Sequence, residues 1–168
     1  RPMSGVRHTY SPRFHIVMRL AVAAMFLMLL WGCGTAPPPP EPPQPAEWSA
    51  LAPEAASAVR AALDHVKVGS DEPKSWLQLA RLYHAHGLEP LAIPCYEVAI
   101  DLGAGGDQAR AWHLLGIALA RGGEYERALA ASDHAANEAS YAPACWRAGF
   151  WLLDLGRPDD AATQFEQA

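Results

Sequence analysis

Trp76 to Ala99 reads WLQLARLYHAHGLEPLAIPCYEVA, and this stretch decides the fold because its pattern occurs three times. A second copy begins at Trp112, 36 residues later, and a third begins at Cys145, 33 residues after that. Self-similarity with a period of 20 to 50 residues is typical of arrays in which each repeat is one small structural unit. The sequence therefore predicts stacked repeats along most of the chain.

Small residues recur at fixed places in each copy. A glycine follows the start of every copy by 11 residues, which suits the left-handed cap at the end of a first helix. Other small residues stand where two antiparallel helices would touch, and one such pair cannot bury its apolar face alone. The glycines are Gly87, Gly123 and Gly156, and the contact residues are Ala80, Gly116, Gly149, Ala92, Ala128 and Ala161.

The first copy resembles the tetratricopeptide repeat, in which Trp-x-x-Leu-Gly-x-x-Tyr precedes Ala-x-x-x-Phe. The matching residues include Trp76, Tyr83 and Tyr96, whereas later copies place Ser132 in the Phe position and Cys145 in the Trp position. The resemblance implies an all-α fold, a right-handed superhelical solenoid of antiparallel helix pairs. Its expected parts are a leading helix or cap at 48–72 and three repeats over 73–168, at 73–106, 109–141 and 142–168.

The resemblance also implies a binding surface, because the first helix of each pair lines a concave groove that holds a peptide. This groove would be basic at one end and aromatic at the other, so we expect a protein or peptide partner that is acidic and has a hydrophobic anchor. The carboxylate clamp of one subfamily needs Asn at such places, and none is present. An alternative is that the aromatic residues pack against a further helix and the Arg side chains are merely solvated. The groove positions are Lys74, Leu77, Arg81, His84, Arg110, His113, Ile117, Ala120, Arg121, Trp146, Phe150 and Leu153.

The N-terminal segment has the features of an export signal. An apolar run of 12 residues, 20–31, follows Arg19, which is too short for a membrane-spanning helix but suits a signal-peptide core. The end of this run, Leu30 to Cys33, resembles a bacterial lipobox. The resemblance implies that 1–32 is a signal peptide with an upstream extension and that Cys33 is acylated, with Gly34 directing the protein to the outer membrane.

Proline dominates the next segment, which reads PPPPEPPQP at 37–45. We predict that the lipidated Cys and a disordered Pro-rich linker occupy 33–47, since polyproline chains have no internal hydrogen bonds. The residues from Trp48 to Val68 are predicted to form one helix. Because proline disrupts a helix interior, Pro94 predicts that the second helix of the first repeat begins late, near Ala92.

The charge balance excludes some partners. The chain carries 13 Lys and Arg residues and 18 Asp and Glu residues, for a net charge of -5. Removing 1–32 takes four Arg residues and no acidic residue, which leaves a net charge of -9. An acidic protein of this kind is not expected to bind nucleic acid.

Catalytic patterns are absent from the sequence. It contains no Gly-x-Ser-x-Gly and no phosphate-cradling loop, so we expect no enzyme activity and no cofactor. His84 and His86 point about 200° apart on a helix, so we expect no metal site. Cys95 and Cys145 stand at apolar positions and are predicted to be buried packing residues.

These features together favour a lipid-anchored envelope lipoprotein, facing the periplasm from the outer membrane and acting as an interaction scaffold or assembly factor. One alternative is the non-catalytic N-terminal part of a larger envelope enzyme. Another is a secreted soluble adaptor, because Trp31 stands where lipoboxes usually have a small residue.

Overall fold

A computed structural model describes residues 40–139 and 141–168 of the 168-residue chain. The predicted signal peptide, the lipidation of Cys33 and the first part of the Pro-rich linker lie outside these described residues. Within them, none of the helices combines the length and the apolar character that a membrane crossing requires.

The described part of the chain is built from α-helices joined by short turns. Consecutive helices pack against each other, and the pairs α2–α3, α4–α5 and α6–α7 follow one another along the chain. The predicted all-α solenoid of antiparallel helix pairs is therefore confirmed. The helices are α1 (Pro53–Val68), α2 (Pro73–Ala85), α3 (Glu89–Asp101), α4 (Gln108–Arg121), α5 (Tyr125–Ala139), α6 (Ala142–Asp154) and α7 (Pro158–Glu166).

Each first helix ends at the glycine that the repeat pattern predicts. The φ angles of Gly87, Gly123 and Gly156 are 69°, 83° and 71°, in the region that favours glycine. The next backbone N–H donates to the carbonyl five residues earlier, at 2.8 to 2.9 Å. This hydrogen bond belongs to the cap in which the chain reverses after a left-handed residue, so the predicted helix ends are confirmed.

The small residues lie where the paired helices touch. Ala80, Ala92 and Ala128 have no exposed surface. A methyl group on Gly116 would stand 3.1 Å from the carbonyl oxygen of Ala128 and 3.4 Å from the ring of Trp151. The close approach of the helices in the second pair therefore leaves little room for a side chain at Gly116.

Helix α3 begins earlier than predicted and runs through Pro94. The carbonyl of Leu88 accepts hydrogen bonds from the N–H groups of Leu91 and Ala92, both at 3.0 Å. These bonds fix a first turn that buries Ala92 completely. The predicted late start is wrong, because this burial favours the turn although Pro94 removes one backbone donor.

The leading segment is also broken up more than predicted. Trp48–Ala50 forms a turn of 3-10 helix, Leu51 is extended, and α1 begins only at Pro53. Helix α1 buries Val59 and Val66 in the core that it shares with the first repeat. The prediction of one helix from Trp48 to Val68 is therefore wrong at its N-terminal end.

Residues 42–45, which we call the proline strap, are packed against the solenoid. Pro42 and Pro45 are buried, and the hydroxyl of Tyr83 donates a hydrogen bond of 2.6 Å to the carbonyl of Pro43. A polyproline chain has free carbonyl groups, and a buried Tyr hydroxyl needs a partner. The prediction of a disordered linker therefore does not hold for residues 42–45.

Candidate binding groove

The first helix of the first repeat contributes a polar depression. Lys74, Leu77 and Arg81 line it together with Asp107, and its volume is about 420 Å³. Nη2 of Arg81 lies 4.0 Å from the carboxylate of Asp107. Nε and Nη2 of Arg81 are buried without a hydrogen-bond partner among the described residues. The described residues therefore leave the guanidinium incompletely hydrogen-bonded.

A second group forms where α4 meets α6. The His113 ring lies 5.4 Å from the Tyr141 ring, and Nδ1 of His113 is buried without a hydrogen-bond partner in the described structure. Burial, followed by the positive charges of Arg147 and Arg110, lowers the pKa of His113 below its ordinary value. Two guanidinium groups therefore lie close enough to the imidazole to act on its protonation.

A third group joins the ends of α2 and α4. Arg121 forms an ion pair of 3.4 Å with Glu89, and the hydroxyl of Tyr96 lies 3.5 Å from Nδ1 of His84. Burial and the nearby Arg121 lower the pKa of His84, while Glu89 opposes them. The charge of Arg121 is thus partly matched within the chain.

The groups share neighbouring cations. Burial raises the pKa of Tyr96 to about 12, and the charges of Arg81 and Arg110 oppose this rise. At His113, in contrast, the charges of Arg147 and Arg110 lower the pKa in the same direction as burial does. Arg81 and Arg110 therefore lie near Tyr96, and Arg110 and Arg147 lie near His113.

The third repeat contributes an apolar surface. Trp146, Phe150 and Leu153 recur along one side of α6 and are 52%, 51% and 46% exposed. The ring of Phe165 lies behind them, 5.2 Å from Trp146 and 5.4 Å from Phe150. Of the five large hydrophobic residues exposed in the described structure, these three and Leu155 lie on α6 or directly after it. In the second repeat, Ile117 is half buried against the core.

Sequence reasoning missed Arg147 and the acidic partners Asp107 and Glu89. Arg147 follows a predicted groove position by one residue, so repeat spacing alone did not select it. Its effect on His113 depends on how α6 packs against α4. The two ion pairs join residues that are 26 and 32 positions apart, and no local pattern predicts such pairs.

The described residues also include two cysteines. Cys95 and Cys145 are buried and not disulfide-bonded, as predicted, and burial raises the pKa of Cys95 to about 12. A thiol of this kind stays protonated and is a poor nucleophile. Within residues 40–139 and 141–168, there is no group of three or more His, Cys, Asp or Glu side chains that could hold a metal ion.

Comparison with known proteins relates the chain to others by fold. No protein-family model and no curated protein matches it. A crystal structure of MamA superposes with a TM-score of 0.63 and 19% sequence identity, over 67% of this chain and 66% of that chain. The fold is similar to that of MamA. A second MamA structure gives a TM-score of 0.62 at 19% identity, with 67% of this chain and 61% of that chain covered.

At this level of identity the likeness shows the fold alone, a tetratricopeptide-like helical solenoid. This chain spans slightly under two thirds of the length of the two MamA chains. Any binding function of the groove therefore depends on the residues of this chain.

Proposed function

We propose that this chain is a protein-interaction scaffold whose groove holds an acidic peptide with a hydrophobic anchor. The observation that carries the proposal is the half-exposed row Trp146, Phe150 and Leu153. Aromatic residues in such a patch are typical anchors of protein interfaces. A solenoid offers this kind of surface without catalytic residues, and the proposed role needs none.

Charge supports an acidic partner. Residues 40–168 contain nine Lys and Arg residues against 18 Asp and Glu residues, yet Lys74, Arg81, Arg110 and Arg121 all stand at groove positions. A positive face on a negatively charged protein steers acidic partners to that face and repels them elsewhere. Such a partner would reach the apolar row from the basic side.

Selection of displayed random peptides against the full chain tests this function. We expect selected peptides to bind at least 10-fold more weakly when Trp146 and Phe150 are both changed to Ala. The matched control is Val68→Ala, because Val68 is 92% exposed but lies on α1. Equal binding to the Trp146/Phe150 variant and the wild type would show that the groove is not the binding surface.

The anchor is a separate part of the proposal. We propose that Cys33 is acylated and holds the scaffold at the outer membrane, facing the periplasm, on the basis of the lipobox-like sequence that precedes it. Several acyl chains anchor a protein stably, since each buried CH₂ contributes about 0.8 kcal/mol.

Membrane fractionation and mass spectrometry of the full-length protein in a Gram-negative host test the anchor. We expect an acylated Cys33 in the outer-membrane fraction, and a Cys33→Ser variant that is absent from it. If the wild type keeps its first residues, or if both forms are soluble, the anchor is wrong and the scaffold role stands alone.

A further inference from the structure

The proline strap has a regular spacing of its prolines. Residues 42–45 read PPQP, with a proline at each end. Each proline ring fixes its own φ, and the residue before a proline is kept extended. The strap therefore follows the polyproline II conformation, in which residues three positions apart lie on the same side. Pro42 and Pro45 form such a pair and are both buried, whereas Gln44 between them is exposed.

Two helices of the solenoid border the strap. On α2, the hydroxyl of Tyr83 donates a hydrogen bond of 2.6 Å to the carbonyl of Pro43. On α1, Leu63 lines a depression of about 290 Å³ together with Gln44 and Trp48. The strap therefore lies beside both helices, and its hydrogen bond to Tyr83 fixes its position along them.

These contacts read chemical groups that many proline-rich chains offer. A polyproline II chain leaves its carbonyl groups free as acceptors, and aromatic-lined surfaces bind Pro-x-x-Pro segments through proline rings and carbonyls. Tyr83 supplies a donor of this kind, and the rings of Pro42 and Pro45 supply the buried apolar surface. Because the contacts use only two rings and one backbone carbonyl, a separate Pro-x-x-Pro segment can make all of them.

The strap is held over a short stretch of chain. Glu41 before it and Ala46 and Glu47 after it are exposed, and the 3-10 turn that follows buries none of its residues. Release of the strap therefore uncovers its site without requiring an α-helix to unfold. An attached segment fills such a site at a high effective concentration, so a separate ligand must compete with it.

We propose that α1 and α2 form a polyproline-binding site around Tyr83, and that a proline-rich segment of a partner protein displaces the strap from this site. The strap is the resident ligand, and it shows which chemistry the site accepts. The inference goes beyond the peptide groove, because Tyr83 and the strap are not among the groove positions. The chain would then hold two different ligands on two separate surfaces.

Fluorescence anisotropy with two labelled peptides tests the site on the full chain. The strap peptide is fluorescein-Pro-Pro-Gln-Pro-Ala-amide, and the control peptide is fluorescein-Ser-Pro-Gln-Ser-Ala-amide. The variant Pro42→Ser/Pro45→Ser removes the attached competitor, so we expect it to bind the strap peptide about 10-fold more tightly than the wild type does. The matched variant Pro40→Ser/Gln44→Ser changes two exposed positions and should bind as the wild type does.

The hydroxyl of Tyr83 gives a second comparison. Adding Tyr83→Phe to Pro42→Ser/Pro45→Ser should weaken binding of the strap peptide about 5-fold, because one hydrogen bond is lost. Adding Tyr125→Phe instead should leave binding unchanged.

A measurement on the unaltered protein does not depend on these variants. A glutamate-specific protease can cut after the exposed Glu47. Excess acetylated strap peptide should speed this cut by displacing the strap, and the acetylated control peptide should not.

Several outcomes would overturn the proposal. One is equal binding of the two peptides to Pro42→Ser/Pro45→Ser, and another is unchanged binding after the addition of Tyr83→Phe. A third is no binding at millimolar concentration together with an unchanged protease cut. A wild-type dimer that sedimentation shows to be lost in Pro42→Ser/Pro45→Ser would assign the site to the strap of a second copy instead of a partner protein. The peptide groove stands or falls separately, because its test changes Trp146 and Phe150.

Discussion

The first and third repeats differ in how their aromatic residues are covered. In the first repeat, Tyr83 has no exposed surface, and its hydroxyl is held by the proline strap. In the third repeat, Trp146 and Phe150 remain about half exposed. A short coil with one well-placed carbonyl thus closes one side of a helix pair, while the helix pair of the third repeat leaves its aromatic surface exposed.

The difference has a chemical basis. Tyr83 combines an apolar ring with a hydroxyl that must find a partner when buried, so a segment that supplies both proline rings and free carbonyls fits it. The exposed ring of Phe150 has no polar group, and burying it requires only an apolar partner of matching shape. The first surface therefore suits the strap, whereas the third exposes apolar rings that the described chain does not cover.

The largest expected effect is a difference in stability between a variant of the first repeat and a variant of the third. Tyr83→Ala should lower the free energy of unfolding by about 3–5 kcal/mol, because it empties a fully packed site. Phe150→Ala should lower it by about 1 kcal/mol, because half of the ring is already in water. Chemical denaturation measures both, and similar losses for the two variants would show that the third repeat is not open.

A smaller effect is expected from Gly149→Ala. A methyl group at Gly149 would collide with the ring of Phe165, which supports Trp146 and Phe150. Overpacking costs about 1–3 kcal/mol, and the gain in helix propensity offsets about 1 kcal/mol of it. We expect the free energy of unfolding to fall by about 1 kcal/mol, and we expect the Trp fluorescence to change.

The control for this prediction is Gly106→Ala, which has open space around the added atom and should change stability by less than about 0.5 kcal/mol. An unchanged stability and fluorescence of Gly149→Ala would indicate that Phe165 is not packed behind the apolar row.

The strap itself should be loosened by Tyr83→Phe, which removes only the hydroxyl. We expect the free energy of unfolding to fall by about 1 kcal/mol, since the carbonyl of Pro43 can accept a hydrogen bond from water instead. Limited proteolysis should then cut faster between the strap and α1. Tyr125→Phe is the control, because Tyr125 has no side-chain hydrogen bond in the described structure. Identical digestion of Tyr83→Phe and wild type would mean that the hydroxyl does not hold the strap.

The smallest effect concerns the groove between these two surfaces. The pKa values of His84 and His113 lie below the ordinary value of 6.5 in the folded chain, so the unfolded chain binds protons first as the pH falls. The free energy of unfolding should therefore decrease as the pH falls below about 6.5. Denaturation at a series of pH values should show a shallower decrease for His84→Gln/His113→Gln.

Val68→Ala serves as the control for acidification, and it should keep the slope of the wild type because Val68 is exposed and carries no titratable group. A double variant with the full wild-type slope would show that the two groove histidines do not titrate as their surroundings indicate.

The regular part of the fold could be predicted from the sequence because it depends on local chemistry repeated at a fixed spacing. Gly87 ends a helix through its own backbone conformation, which does not depend on distant residues. Ala80 is small enough to fit any close contact between helices. The failures depend on distant partners. Pro94 is tolerated because Ala92 is buried by the paired helix, and the strap is ordered because Pro43 meets a residue 40 positions away.

The same limit applies to the groove. Repeat spacing selected Arg110 and His113, but it could not show that Arg81 and Arg121 face carboxylates of the chain itself. Charge reversal at Arg81 or Arg121 would therefore break internal ion pairs as well as any contact with a partner. Arg110 and Arg147 are better targets, because their changes leave the internal pairs intact.

The proline strap also determines where force would enter the domain. A pull on the chain ahead of Pro42 reaches α2 through Tyr83 before it reaches the start of α1 at Pro53. If the strap yields and the 3-10 turn at Trp48–Ala50 opens, the 11 residues from Pro42 to Ala52 can extend to about 36 Å while the α-helices stay folded. The segment that the strap holds is therefore a reserve of chain length, which would lengthen under tension before the α-helices unfold.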